Sequence, residues 1–580
     1  MGGRKGKYGV FDRPSKNSQG LAGSKNLQYR ANPRESAQTS GFLAGSSIRA
    51  LRGRESMHAK RGFERRFMRR FGLAAVTAAG LLPLPALAQK AQDTLRIGVY
   101  QPISIIDALY DPQPQTNLMD RVVFDTLVQY DSDKREVVPG LAESWKFIND
   151  TTVEFKLRQG VKFHDGSDFD ADDVVYTVNF VIDPSSKFRF KETRFGLFDS
   201  IEKVDQYTVR LKIKSPYASL LTRMASTLPI YPSDVHGKLA DKSTFGRNPV
   251  GTGPYKATLV DPSRGVVLEK NPFFKQVNAG QPAGKIGKIV ISPIPDQQTQ
   301  LAKMMIGEQD LMYDVPTDIA EMMKGNPNVQ ISVRPSISFT YLALDAANRS
   351  GFDKFKDIRV REAMFRAIDR KALVNALQPK EIAAQPLQQA MCHPWHYACA
   401  SSIDPPSYDP AKAKQLLKEA GLADGFNVTI ATWGAARPVA EAVAGQLRKV
   451  GINAALDSLT STGFVTKRAA GQLQAYIVLW DNGGGTPDVE STVNFFYEKG
   501  DRNYNQDPML EDLQKKALSE MDPKKREAIH KQIFDRATTQ RYSMPITPLA
   551  AVIAHSKDVK IPVSGTKKPE GFMFNLLEWK

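Results

Sequence analysis

Between Asn427 and Leu479 the chain alternates strand and helix signals, and few folds accept that pattern. Val428–Ala431, Ile452–Leu459 and Ala475–Leu479 are apolar runs of strand length, whereas Arg437–Val450 and Gly463–Ala470 carry helical spacing, the first stopped by Gly451. Strands separated by helices of this size predict βαβ units and a parallel sheet, hence an α/β fold. Flanking this block, Asp409-Pro410 and Asp522-Pro523 each place an N-cap acid before a proline. At the first helical position proline's missing N–H costs nothing. Ala413, Leu416, Leu417 and Ala420 stripe the first of these helices and Gly421 ends it.

The first half is less regular. Thr94–Tyr100, Tyr207–Lys214 and the stretch Lys256–Leu268 alternate as half-buried strands, punctuated by Gly251–Gly253-Pro254 and Asn271-Pro272. Between them lies Val137–Val178. There Pro139-Gly140 breaks the chain, and Val153, Phe155 and Leu157 alternate with charged residues. Asp170, with Asp173 three residues on, predicts a capping box for a helix striped by Val174, Val178 and Val181. These irregular strands fit a mixed α+β region.

The wording of that segment, PGLAESW followed by FKLRQGVKFHDGSDFDADDVVY, resembles the family 5 solute-binding proteins, the peptide and nickel receptors of bacterial ABC importers. NPVGTGPYK at 248–256, FKDIRVREAMFRAIDRKALV at 355–374, YDPAKAKQLLKEAG at 408–421 and the run 524–549 follow in the expected order. Several long motifs in order are far more specific than any short pattern. The resemblance implies a two-lobed periplasmic-binding-protein fold (type II, cluster C-like) with an extra α+β domain. It places lobe I at 92–127, 227–335 and 548–580, the extra domain at 128–226, and lobe II at 336–547. It implies capture of a peptide or related small solute between the lobes and delivery to the transmembrane subunits of an ABC permease, by a monomer needing no cofactor. The rival ligands within the class are a nickel chelate, an opine or an oligosaccharide. An exported hydrolase is the rival from another class. No G-x-S-x-G, H-E-x-x-H, Walker A or dinucleotide pattern occurs. His164-Asp165, the one tempting acid–base pair, reads as a structural turn, so no enzyme is expected.

Charge narrows the partners. The net +17 is concentrated at the start: residues 1–88 carry +13 and the rest only +4. A polyanion-binding body would hold its own basic excess, so nucleic acid is excluded. Residues 1–56 read as a disordered extension or a misassigned start, with Met57 or Met68 as alternatives. Residues 57–88 read as a signal peptide: Arg61, Arg65, Arg66, Arg69 and Arg70 precede the apolar run Leu73–Leu82, and Ala86-Leu87-Ala88 offers a cleavage site before Gln89. The Arg-Arg pairs leave Sec and twin-arginine export both open. No later apolar run reaches spanning length, so a periplasmic protein is expected.

Candidate ligand contacts gather at strand ends, because open α/β sheets bind ligands outside the carboxyl ends of their strands. Trp480 offers a stacking face, and Asp481 and Asp488 offer polar anchors in a loop of three glycines. The resemblance places ligand contacts in this loop. Dipeptide receptors of the family carry an aspartate three residues after the tryptophan to receive the ammonium group, where this chain has Gly483. Asp481 is the substitute, and a dipeptide is no longer the default ligand. Trp433 ends another strand of the parallel lobe. Arg437 could pair with a carboxylate, and Tyr341 lies on the alternating strand Phe339–Leu344.

The only cysteines, Cys392 and Cys399, flank His393 and His396. All four are zinc-ligand types, but Cys392 and His393 are adjacent and the spacing matches no established zinc site. In an oxidising compartment a metal-free disulfide is expected.

Overall fold

The computed structural model describes residues 90, 92–131, 134, 136–274, 282–481, 487–562 and 573–580. The chain divides into residues 1–80 and 81–580, and every described residue belongs to the second unit. The expected leader at 1–56 and 57–88 and the site candidate Gly483 lie outside the described residues.

Ten strands form one mixed sheet. They are β1 (Thr94–Val99), β2 (Tyr255–Asp261), β3 (Gly265–Lys270), β4 (Lys288–Pro293), β5 (Leu311–Met312), β6 (Val329–Leu344), β7 (Phe426–Thr432), β8 (Ile452–Ser458), β9 (Ala475–Trp480) and β10 (Ser543–Ser556). Their order is β8-β7-β9-β6-β10-β5-β1-β4-β3-β2. The expected βαβ block is present: β7 pairs in parallel with both β8 and β9. The helices Arg437–Arg448 and Ser461–Ala469 connect them. Val439, Val443 and Leu447 of the first are buried, as helical spacing requires.

Two long strands cross the middle of this sheet. Near its C-terminal end β6 pairs with β9, from Phe339 opposite Trp480 to Leu344 opposite Ala475. The C-terminal end of β10 pairs instead with β5, His555 opposite Leu311. Between these ends β6 and β10 run antiparallel, with register shifts between Pro335 and Phe339 and between Thr340 and Tyr341. The sequence pattern exposed only Phe339–Leu344 as a strand. The half-buried residues 331–338 lack its clean alternation.

The four strands Ala142–Asn149, Thr152–Leu157, Thr208–Ile213 and Phe198–Asp205 form a separate antiparallel sheet in that order. Val153, Phe155 and Leu157 are buried, as their alternation predicts. The helix Ala171–Ile182 begins in the expected capping box, with Asp170 and Asp173 reciprocally bonded to main-chain N–H groups. The NPVGTGPYK segment owes its glycines to close packing. A Cβ at Gly251 would lie 2.1 Å from the Val123 carbonyl oxygen, and one at Gly253 would lie 2.5 Å from that of Val122.

His164 explains itself in the same place. Its Nδ1 accepts from the Gly251 N–H at 3.1 Å, which leaves the proton on Nε2, 3.1 Å from the Gly253 carbonyl oxygen. Burial lowers its pKa to about 4, so the ring is a neutral brace between two segments of the motif.

Candidate functional site

Strands β7 and β9 point the same way, with Thr432 opposite Ile477, so both end at one edge of the sheet. Trp433 follows β7, and Trp480 closes β9. A short 3-10 turn, Gly434–Ala436, then leads into the helix Arg437–Arg448. Gly434 takes a left-handed φ of +55° with open space where a Cβ would stand.

The two tryptophans sit differently. Trp480 is only 7% exposed and belongs to a core that also holds Phe339, Tyr341, Tyr476 and Phe496. Its indole Nε1–H donates to Thr492 Oγ1 at 2.8 Å, and its ring lies 4.4 Å from Phe495 and 5.2 Å from Phe496, centroid to centroid. The face that sequence reasoning left open for stacking is therefore packed against aromatic neighbours. Trp433 is half-buried, and its Nε1 is shielded from water with no hydrogen-bond partner among the described residues. The adjacent Thr432 hydroxyl is equally buried and equally without a partner. The two groups lie on opposite faces of the strand, Thr432 with Ile430 and Trp433 with Ala431. Buried donors and acceptors are nearly always bonded, so each requires an explanation.

The remaining candidates divide. Tyr341 is fully buried, with its ring edge-on to Tyr476 and Phe496, and the low polarity of that core pushes its hydroxyl pKa well up. Arg437 is exposed and already engaged with Glu441 at 2.8 Å, one helical turn along. It sits as an ordinary surface arginine of a helix's first turn does, the alternative to a carboxylate contact. Asp481 is exposed at the start of the loop. Asp488, at the loop's far end, is not an open anchor. It is buried against Arg526 at 2.6 Å, and its Oδ1 also accepts from the Glu490 N–H. Arg526 had no signal in the sequence, since a basic residue in a helix's first turn is usually solvated.

The cysteines form a disulfide, Cys392–Cys399. The loop they close braces the candidate site. Tyr397 N–H donates to the Pro487 carbonyl at 2.8 Å, and Val489 N–H returns a bond to the Tyr397 carbonyl at 3.2 Å. The Tyr397 ring lies 5.4 Å from the Arg526 guanidinium. His393 is buried, which lowers its pKa to about 4. Among the described residues no group of three or more His, Cys, Asp or Glu side chains is arranged to hold a metal ion. Converting both cysteines to serine is expected to cost about 2.5 kcal/mol on the chain-entropy argument for so short a loop, checked by urea denaturation.

One measurable groove, about 440 Å³, is lined by Asn427–Thr429, Arg448, Asn453–Ala455 and Gln474. It lies at the amino-terminal half of β7 and β8, the end of a parallel sheet that ligands do not use. Among the described residues no helix is long and apolar enough to cross a membrane.

Comparison with known proteins agrees with this architecture. The family described as "Bacterial extracellular solute-binding proteins, family 5 Middle" matches residues 136–504. The di/tripeptide-binding protein 1 of Pseudomonas aeruginosa is 27% identical, over 76% of this chain and 86% of that protein. Heme-binding protein A of Haemophilus influenzae is 29% identical, over 67% of this chain and 74% of its own length. In structure, an ABC transporter substrate-binding protein of Listeria monocytogenes aligns with a TM-score of 0.74 at 21% identity, covering 84% of this chain and 99% of that one. The crossing strands β6 and β10, the separate four-stranded sheet and the match over residues 136–504 lead to one assignment: the chain belongs to family 5 of the bacterial extracellular solute-binding proteins, the receptors of ABC importers.

Proposed function

We propose that this receptor captures a peptide-like solute at the edge where β7 and β9 end, and that it does no chemistry on it. The observation that carries the reading is the Trp433 indole N–H, buried and without a hydrogen-bond partner among the described residues, at the carboxyl end of a parallel strand. A peptide carbonyl supplies the acceptor that such an N–H lacks. Asp481 stands at the neighbouring strand end to receive an ammonium group, and Trp480 supports the floor from within the core. The di/tripeptide-binding relative favours this solute class. The lobes divide where the register of β6 and β10 shifts, lobe I taking 92–127, 227–335 and 548–580, lobe II 336–547, with 128–226 as the extra domain. Solute held between them would be presented to the transmembrane permease by a monomer.

The protein purified from the periplasm, analysed by native mass spectrometry before and after incubation with a mixture of di-, tri- and tetrapeptides, tests this. Intact peptide retained on the protein is the expected result. Cleaved products would indicate a hydrolase, and a retained non-peptide mass would replace the solute class.

Two further outcomes are expected. Trp433→Phe keeps the ring but removes the N–H, and should weaken binding of the retained peptide by about 1 kcal/mol, roughly fivefold, in calorimetric titration. Export through residues 57–88 places the mature start at or near Gln89. Intact-mass measurement of periplasmic protein checks that, and a chain retaining residues 1–56 would refute it.

A further inference from the structure

Glu490 opens the helix Glu490–Tyr497, ten residues beyond Trp480, and four side chains donate to its carboxylate. The hydroxyls of Tyr217 and Ser219 do so from the segment after the strand Thr208–Ile213. Arg223 Nη2 lies 2.6 Å from Oε1 and Asn494 Nδ2 lies 2.7 Å from the same atom. The Arg223 and Glu490 side chains are only 13% and 4% exposed. The Ala218 N–H adds a main-chain bond to the Leu518 carbonyl at 3.1 Å. Burial pushes the Glu490 carboxyl up, but Arg223 and the two hydroxyls hold it below the usual carboxylate range, so it stays charged.

The partners come from opposite sides of the crossing strands. Tyr217, Ser219 and Arg223 belong to the segment 128–226, whose core is continuous with that around β1 to β4. Glu490, Asn494 and Leu518 lie between β9 and β10, in the part built around β6–β9. A swing of the two parts that opens this side of the molecule would separate these residues. The same helix also holds the candidate site: Thr492 accepts from Trp480 Nε1, and Phe495 and Phe496 pack on the Trp480 ring.

We infer that Glu490 and Arg223, with Tyr217 and Ser219, are the catch that holds the extra domain, whose core is continuous with that of lobe I, closed against lobe II. The helix Glu490–Tyr497 ties that catch to the floor of the solute site. This inference rests on the two-lobed capture reading. A catch made of charge suits its task. Taking two ions out of water nearly cancels their attraction, so such a pair adds little net closure free energy. It therefore leaves a near-balanced equilibrium that a solute can tip and a permease can reverse. An apolar contact of the same size would hold the empty receptor shut.

The test uses ligand-free mature protein, so it does not depend on the solute being a peptide. Small-angle scattering and hydrogen exchange are compared for wild type, Glu490→Gln, Arg223→Met and Ser219→Ala. Loss of charge-assisted hydrogen bonds should shift the closed-to-open ratio about tenfold or more in the first two variants. It would be read as a larger radius of gyration and faster exchange at 217–223 and 488–494 together, with β7 and β9 unchanged. A lower unfolding midpoint with wild-type scattering and wild-type exchange would make the cluster purely structural and overturn the inference, as would no change at all. Ser219→Ala removes one donor and no charge. If a charge variant fails to fold, Ser219→Ala must show the same opening in smaller measure, and wild-type behaviour from it refutes the catch.

Discussion

Replacing Trp480 with alanine is expected to destabilise the ligand-free protein by about 3–5 kcal/mol, the usual cost of emptying a large aromatic site in a packed core. The ring is 7% exposed, lies against Phe495 and Phe496, and spends its only N–H on Thr492. Urea denaturation without solute measures the loss. Sequence position alone left two readings open, a face on which solute stacks and a ring in the core, and only the first would spare the ligand-free protein. A loss under about 1 kcal/mol would restore the first. Thr492→Val separates the hydrogen bond from the packing and should cost the smaller amount expected for an unsatisfied buried donor, about 1–3 kcal/mol.

The second large effect is expected at Asp488. Asn in its place leaves the Arg526 guanidinium buried without its counter-charge. The pair is 2.6 Å apart, with side chains 2% and 5% exposed. Breaking a buried ion pair from one side typically costs about 3–5 kcal/mol, whereas removing both charges often costs far less. Asp488→Asn should therefore lower the unfolding midpoint strongly, and Asp488→Asn with Arg526→Met should recover much of the loss. Additive losses in that double-mutant cycle would show that the two side chains do not act as a pair.

Local pattern carried the architecture. The alternation around Val428, Ile452 and Ala475, the Asp-Pro caps at 409 and 522, and the Asp170 capping box all reappear as elements with the expected faces buried. What the sequence could not carry is which way a strand-ending side chain turns and what meets it. Trp433 and Trp480 each close a parallel strand, yet one is half-buried with an N–H that has no partner among the described residues and the other is sealed in a core. Glu490 reads as an ordinary first-turn acid, because its partner Arg223 is 267 residues away in the chain. The half-buried length of β6 before Phe339 escaped for a different reason: Pro335, Ser336 and Ser338 break the period a strand is recognised by.

The irregular crossing of β6 and β10 has a mechanical consequence. Between the rungs Pro335–Ala550 and Phe339–Pro548, three residues of β6 face only Leu549 of β10, and a second shift follows at Tyr341–Pro545. Three of the rung residues, Pro335, Pro545 and Pro548, have no N–H to donate. The crease is thus already stripped of the main-chain bonds that flexing would otherwise have to rupture. Bending there would have few further main-chain bonds to break. In a receptor that hinges there, the resting angle would be set by whatever touches across the gap, so a few polar side chains would govern how wide the jaws stand.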